Sequence, residues 1–225
     1  MLYKIYLVED EQTLNEILVH YLQAEGYEVT SFLDGKTAQA QIKDEPDLWV
    51  LDIFLPDISG HDLIKLIREH NKYIPVIFMS ARNKEFDRVI GFKLGASDYI
   101  SKSFDPQELI FRIKMVMERE HNRKSKKDGE YILVNGYEVY EAEHRIVYDT
   151  TEIELTYNEF ELFMILVKNR NKLVSRKQIL KEIWDEYYVG SNNVIDNTMQ
   201  RLRRKMEHLQ IETSYGAGYR LVAKQ

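Results

Sequence analysis

The sequence predicts two folded units of different class, an α/β domain built on a five-stranded parallel sheet and a smaller α+β domain. Three observations predict this. Short apolar runs alternate with segments of helical period five times before about residue 120. The polar stretch "REHNRKSKKDGE" (119–130) then carries no apolar rhythm. Beyond it, short alternating segments precede three helical ones and a Gly-rich end. Repeated β/α units imply a parallel sheet covered on both faces, here doubly wound. Strands, three helices and a terminal hairpin, in that order, describe a winged helix-turn-helix.

In the first unit (1–120), the strand candidates are "YKIYLV" (3–8), "YEVTSF" (27–32), "LWVLDI" (48–53), "PVIFMS" (75–80) and "DYIS" (98–101). Between them lie helix candidates at 12–25, with Leu14, Ile17, Leu18, Tyr21 and Leu22 on one face, and at 35–44, 60–70, 84–94 and 105–119. Residues 121–130 read as a linker. In the second unit (131–225), "YILVNGYEVYEAEHRIVYDTTEIEL" alternates like antiparallel strands, and Asn135-Gly136 is a hairpin signal. Helices are expected at 156–168, 175–186 and 192–208, before two strands around the turn of "ETSYGAGYRLVA".

The 225 residues are 44% hydrophobic and 12% aromatic, enough for well-filled cores. No stretch has the roughly 18 uninterrupted apolar residues of a membrane helix. "MLYKIYLVEDE" turns acidic too soon for a signal peptide, and cysteine is absent. A soluble, cytoplasmic protein without membrane contact is expected, lacking disulfides and thiolate chemistry. The net charge of -6 is unevenly spread: residues 1–120 hold 14 basic and 21 acidic residues, residues 121–225 hold 17 and 16. Within the second unit, "NTMQRLRRKM" (197–206) has four basic residues and no acid, so its local field is positive.

Function in an open parallel sheet gathers beyond the carboxyl ends of its strands. The first strand ends in Glu9 and Asp10, the third in Asp52, the fourth in Ser80 and the fifth in Lys102. Asp52 closes the apolar run "WVLDIFLP", where an unpartnered carboxylate would be costly. Three converging carboxylates call for a hard divalent cation, and Mg²⁺ suits a site with few protein ligands. With charge so offset, one carboxylate can attack a phosphoryl donor, while Lys102 and Ser80 hold phosphoryl oxygens. Each residue alone is more readily a cap, a turn former or a solvated charge; five at the right strand ends are not.

"YLVEDE", "LDIFLPDISG", "VIFMSA" and "GASDYISKSF" resemble the receiver domain of two-component response regulators, and the whole chain resembles the OmpR/PhoB subfamily, which joins a flavodoxin-like receiver to a winged helix. The resemblance implies that Asp52 accepts a phosphoryl group from a sensor histidine kinase. It implies Mg²⁺ held by Glu9, Asp10, Asp52 and the Phe54 carbonyl, and a switch pair, Ser80 and Tyr99. Such a switch needs phosphate to favour one of two existing states. The family usually has proline after the site lysine, joined by a cis peptide; this chain has Ser103, where a cis bond costs about 2.5 to 4 kcal/mol. A trans or strained loop, a loosely held Lys102 and weaker phosphorylation than in a Ser103→Pro variant are expected. Homodimerisation on phosphorylation is expected through the fourth helix, fifth strand and fifth helix, where Arg88 with Glu108 and Asp98 with Arg112 match expected charge pairs. Lys93 and Lys114 fall where opposite charges are common, and Ser97 replaces a common acid.

Helix 192–208 turns Val194, Ile195, Leu202 and Met206 toward a core and Asn193, Asn197, Thr198, Gln200, Arg201 and Arg204 outward. Arg, Asn and Gln can read base edges in a major groove. Gly216 and Gly218 permit a tight wing turn. By resemblance, Asn197, Thr198, Arg201 and Arg204 lead the contacts to double-stranded promoter DNA, Arg220 reaches the minor groove, and "DEYYVGSN" (185–192) stands where some relatives contact RNA polymerase. A Mg²⁺-dependent aspartyl-phosphate phosphatase would place a second acid two residues after its nucleophile. That position is Phe54. The sequence therefore predicts a phosphorylation-switched transcriptional regulator rather than an enzyme, with segment similarity leaning toward a secretion-stress regulator.

Overall fold

The structure, a computed structural model, describes residues 3–81, 85–124, 129–184 and 193–223. It divides into two compact units, Met1–Glu120 and His121–Gln225. The first is built from β1 (Lys4–Val8), α1 (Gln12–Ala24), β2 (Glu28–Phe32), α2 (Gly35–Gln39), β3 (Leu48–Asp52), α3 (Gly60–His70), β4 (Val76–Ser80), α4 (Glu85–Lys93), β5 (Asp98–Ser101) and most of α5 (Pro106–Lys124). The sheet is parallel in the order β2-β1-β3-β4-β5. The order reverses at β1 and β3, so the ends of those strands border a crevice. β3 and β4 are buried along their whole length, as expected of strands covered on both faces.

Two local differences from expectation stand out. The second helical segment breaks after Gln39 and resumes as a short 3₁₀ turn, Ile42–Asp44. The fifth helix runs to Lys124, into the stretch expected as linker, because Arg119, Glu120, Arg123 and Lys124 are good helix formers even without an apolar stripe.

The second unit holds a four-stranded antiparallel sheet, β6 (Ile132–Val134), β7 (Tyr137–Tyr140), β8 (Arg145–Tyr148) and β9 (Thr151–Glu152). Asn135 and Gly136 both have positive φ, 50° and 88°, as a two-residue turn between twisted strands requires. Three helices follow, α6 (Tyr157–Lys168), α7 (Arg176–Ile183) and α8 (Asn193–Lys205). Ser175 caps α7, its hydroxyl accepting from the Gln178 N–H at 3.1 Å. The closing hairpin, β11 (Ile211–Ser214) and β12 (Gly218–Leu221), is joined by β10 (Val174–Ser175), which the sequence did not reveal. Gly218 is required there: a Cβ would lie 2.0 Å from the Val174 carbonyl oxygen.

Candidate functional site

At the carboxyl edge of the parallel sheet, one oxygen each from Glu9, Asp10 and Asp52 lies within 4.8 Å of the others. Lys102 reaches into this cluster from the end of β5. Its Nζ donates to Glu9 Oε1 at 2.6 Å and to Asp52 Oδ2 at 2.7 Å. The other Asp52 oxygen accepts from the Phe54 N–H at 3.1 Å. Asp52 is therefore the last residue of an apolar strand, 2% exposed, with both oxygens partnered.

Glu9 is fully buried, and its Oε2 has no hydrogen-bond partner. Burial pushes its carboxyl above the usual glutamate range against the opposing pull of Lys102. An orphaned buried oxygen beside two more carboxylates is a donor set suited to a hard cation. The Lys102–Ser103 peptide is trans, as no cis peptide occurs among the described residues. The loose lysine expected without proline is not found: two carboxylates hold the ammonium, and their contacts outweigh burial in raising its pKa. Ser80 and Tyr99 are both buried, Ser80 completely. A Cβ on Gly91 would stand 3.8 Å from the Tyr99 ring, which lies against α4.

The basic helix differs more from expectation. Val194, Ile195, Leu202 and Met206 are buried as periodicity predicts. Asn193, Gln200 and Arg204 are exposed and Asn197 is half-buried. Thr198 is not outward: it is fully buried, its hydroxyl donates to the Val194 carbonyl at 2.8 Å, and it accepts from Arg201 at 3.1 Å. Arg201 is diverted as well. Its Nε donates to Glu159 of α6 at 2.9 Å, and Lys205 reaches the other Glu159 oxygen at 2.7 Å. Burial alone would raise the Glu159 carboxyl, but Lys205, the Thr156 N–H and Arg201 hold it below the usual range. Arg220 is exposed on β12, with its Nε 3.2 Å from Glu212.

Comparison with known proteins agrees with both halves of this description. Residues 5–114 match the family described as "Response regulator receiver domain", and residues 150–221 match "Transcriptional regulatory protein, C terminal". The chain is 44% identical to the transcriptional regulatory protein CssR of Bacillus subtilis over 99% of this chain and 100% of that protein. It is an OmpR/PhoB-type response regulator. It is also 30% identical to the alkaline phosphatase synthesis regulator PhoP of Bacillus subtilis, covering 97% of this chain and 96% of PhoP. DrrB, a Thermotoga maritima OmpR/PhoB homologue, is 28% identical with a TM-score of 0.55, and the alignment covers 99% of this chain and 100% of DrrB. A RitR structure shares the fold at a TM-score of 0.78 and 21% identity, covering 99% of this chain and 100% of RitR.

In this response regulator Asp98, Glu108 and Arg112, expected on a dimer face, meet within one chain. Arg112 donates to Asp98 at 2.8 Å and to Glu108 at 2.7 Å. Asp98 and Arg112 are each 5% exposed, so they form a buried pair and not a solvated face. Lys114 pairs with Glu25 at 2.6 Å, and the Ser97 hydroxyl is buried, accepting from the Val76 N–H. The Arg88 side chain and loop 185–192 lie outside the described residues.

Sequence reading missed three residues that shape the acidic edge. Asn15 on α1 donates to the Glu9 carbonyl at 3.0 Å and to the Phe32 carbonyl at 3.2 Å, tying the ends of β1 and β2 together. Asp57 accepts from the N–H groups of Gly35 and Lys36 at 2.9 and 2.7 Å, anchoring the loop after β3. At Gly60 a Cβ would lie 2.2 Å from the Asp52 carbonyl oxygen, so only glycine fits. The one available signal was Asn15 itself, a polar residue among the apolar positions of α1.

Proposed function

We propose that this response regulator is phosphorylated on Asp52 by a sensor histidine kinase, dimerises, and binds double-stranded promoter DNA to control transcription with RNA polymerase in the cytoplasm. The observation that carries the reading is the Lys102 ammonium lying between Glu9 and Asp52 in a cluster with Asp10. Glu9, Asp10, Asp52 and the Phe54 carbonyl would hold Mg²⁺, which supplies charge neutralisation for an anionic nucleophile meeting an anionic phosphoryl group. An Asp52 oxygen attacks phosphorus as the bond from phosphorus to the kinase histidine nitrogen breaks. Lys102 moves from carboxylate to phosphoryl oxygen, keeping its charge in the site. Ser80 donates to another phosphoryl oxygen, and Tyr99 packs behind it.

Phe54, 43% exposed, offers no proton to a leaving group, which supports a switch over a phosphatase. Residues 1–120 form the receiver and 131–225 the DNA-binding domain, with Asn193, Asn197, Gln200 and Arg204 as the reading stripe and Arg220 on the wing. Phe111, 46% exposed on α5, gives the dimer face an apolar component beside Glu108 and Arg112. The segment similarity supports a secretion-stress role. The test is to select duplexes from a random pool with the full chain, then measure affinity and mass with and without Mg²⁺ and a small phosphodonor. A phosphodonor-dependent dimer with tighter, salt-sensitive binding is expected; a monomer with unchanged affinity contradicts the proposal.

A further inference from the structure

The wing and the helix before it are joined by a network that centres on Tyr219. On α8, successive residues turn by about 100°, so Asn193, Asn197, Gln200 and Arg204 form one stripe with Asp196 and Arg203 along its flank. Those two flanking charges are engaged inside the domain. Asp196 accepts from Arg176 at 2.5 Å and from the Tyr219 hydroxyl. Arg176 also donates to the Tyr219 oxygen at 3.1 Å. Arg203 donates to the Ile211 carbonyl at 2.7 Å and to the Thr213 hydroxyl at 2.8 Å, both on β11. The Arg176 and Arg203 guanidinium carbons lie 5.3 and 5.7 Å from the centre of the Tyr219 ring, within cation–π range. Tyr219 is 3% exposed, and burial followed by Asp196 pushes its hydroxyl up to about 12, so it remains a donor at neutral pH.

Consecutive strand residues point to opposite faces, so fixing Tyr219 inward fixes Arg220 outward. Gly218, packed on the Val174 carbonyl, holds the start of the same strand. We propose that Tyr219, with Asp196, Arg176 and Arg203, locks the wing to the reading helix, so that the DNA contact of Arg220 depends on the Tyr219 hydroxyl. Tyr219 and Asp196 are then positioning residues. Asp196, an acid on the flank of a DNA-binding helix, is neutralised by Arg176 and by its role in the lock. This rests on the reading of Arg220 as a DNA contact.

The experiment is a double-mutant cycle on the full chain, using a duplex selected by the wild-type protein at one fixed salt concentration. Arg220→Ala is expected to weaken binding about tenfold in the parent chain, the scale of one good contact. In the Tyr219→Phe background the same change is expected to cost about twofold or less, because the cycle isolates their coupling. Should Tyr219→Phe lose the native circular dichroism spectrum, Asp196→Asn and Asp196→Ala carry the same test. The amide still accepts the hydroxyl and preserves the tenfold effect, whereas alanine abolishes it. An equal Arg220→Ala effect in every background overturns the lock and leaves the wing contact standing. An Arg220→Ala chain that binds as tightly as its parent overturns both.

Discussion

The acidic edge of the receiver and the flanks of α8 both gather ionised side chains, yet they neutralise them differently. At the sheet edge three carboxylates cluster, two of them on Lys102, and Glu9 keeps a buried oxygen without a hydrogen-bond partner. On α8, Arg201 and Lys205 meet Glu159 on one side, and Asp196 meets Arg176 on the other. The first arrangement has unused coordinating capacity for a cation and a phosphoryl group. The second has its charges matched within the domain, and the proposed DNA contacts fall to the side chains between them. Charge that remains uncompensated marks a ligand site, whereas compensated charge is scaffold.

This contrast is sharpest where compensation is removed. Lys102→Ala should slow modification of Asp52 by roughly two to three orders of magnitude, the scale of a lost oxyanion donor, as followed with a small phosphodonor. Glu159→Ala strands Arg201 and Lys205, 15% and 32% exposed, and should destabilise the DNA-binding domain by about 2 to 3 kcal/mol in chemical denaturation. Because the Glu159 carboxyl is held below its unfolded value of 4.5, its stabilisation is complete above that value. It is lost as pH falls through the lower, folded value. The wild-type domain should therefore lose stability in that acidic window, and Glu159→Gln should flatten the loss.

Smaller effects separate reading residues from scaffold. Arg204→Ala should weaken DNA binding about tenfold and, if the contact is to phosphate, lower the salt slope by about one. Thr198→Val removes a buried hydroxyl and should cost about 1 kcal/mol of stability while leaving the salt slope unchanged. A large affinity loss with an altered slope would return Thr198 to the interface. Ser103→Pro should change the phosphorylation rate by less than about twofold, since Lys102 already has two carboxylate partners.

The strands of the receiver and the placement of Glu9, Asp10, Asp52 and Lys102 were legible because a parallel sheet delivers every strand end to one edge. A residue's position in its own run was enough. On α8, periodicity identified the core residues, but Thr198 and Arg201 were misplaced. Their direction depends on Glu159, some forty residues away, and on a hydroxyl that satisfies the helix's own Val194 carbonyl. Asn15 and Asp57 escaped for the same reason: their partners are backbone groups that only the fold brings near. β10 is two residues long, too short for any periodic signal.

The central claim is that Asp52 is the phosphoacceptor of a cation-dependent switch. The most direct test incubates the full chain with Mg²⁺ and a small phosphodonor, reduces the acyl phosphate and maps the modified residue by mass spectrometry. The label is expected on Asp52 alone, abolished by chelating the metal and by Asp52→Ala. A label elsewhere, or one that survives Asp52→Ala, would contradict the account.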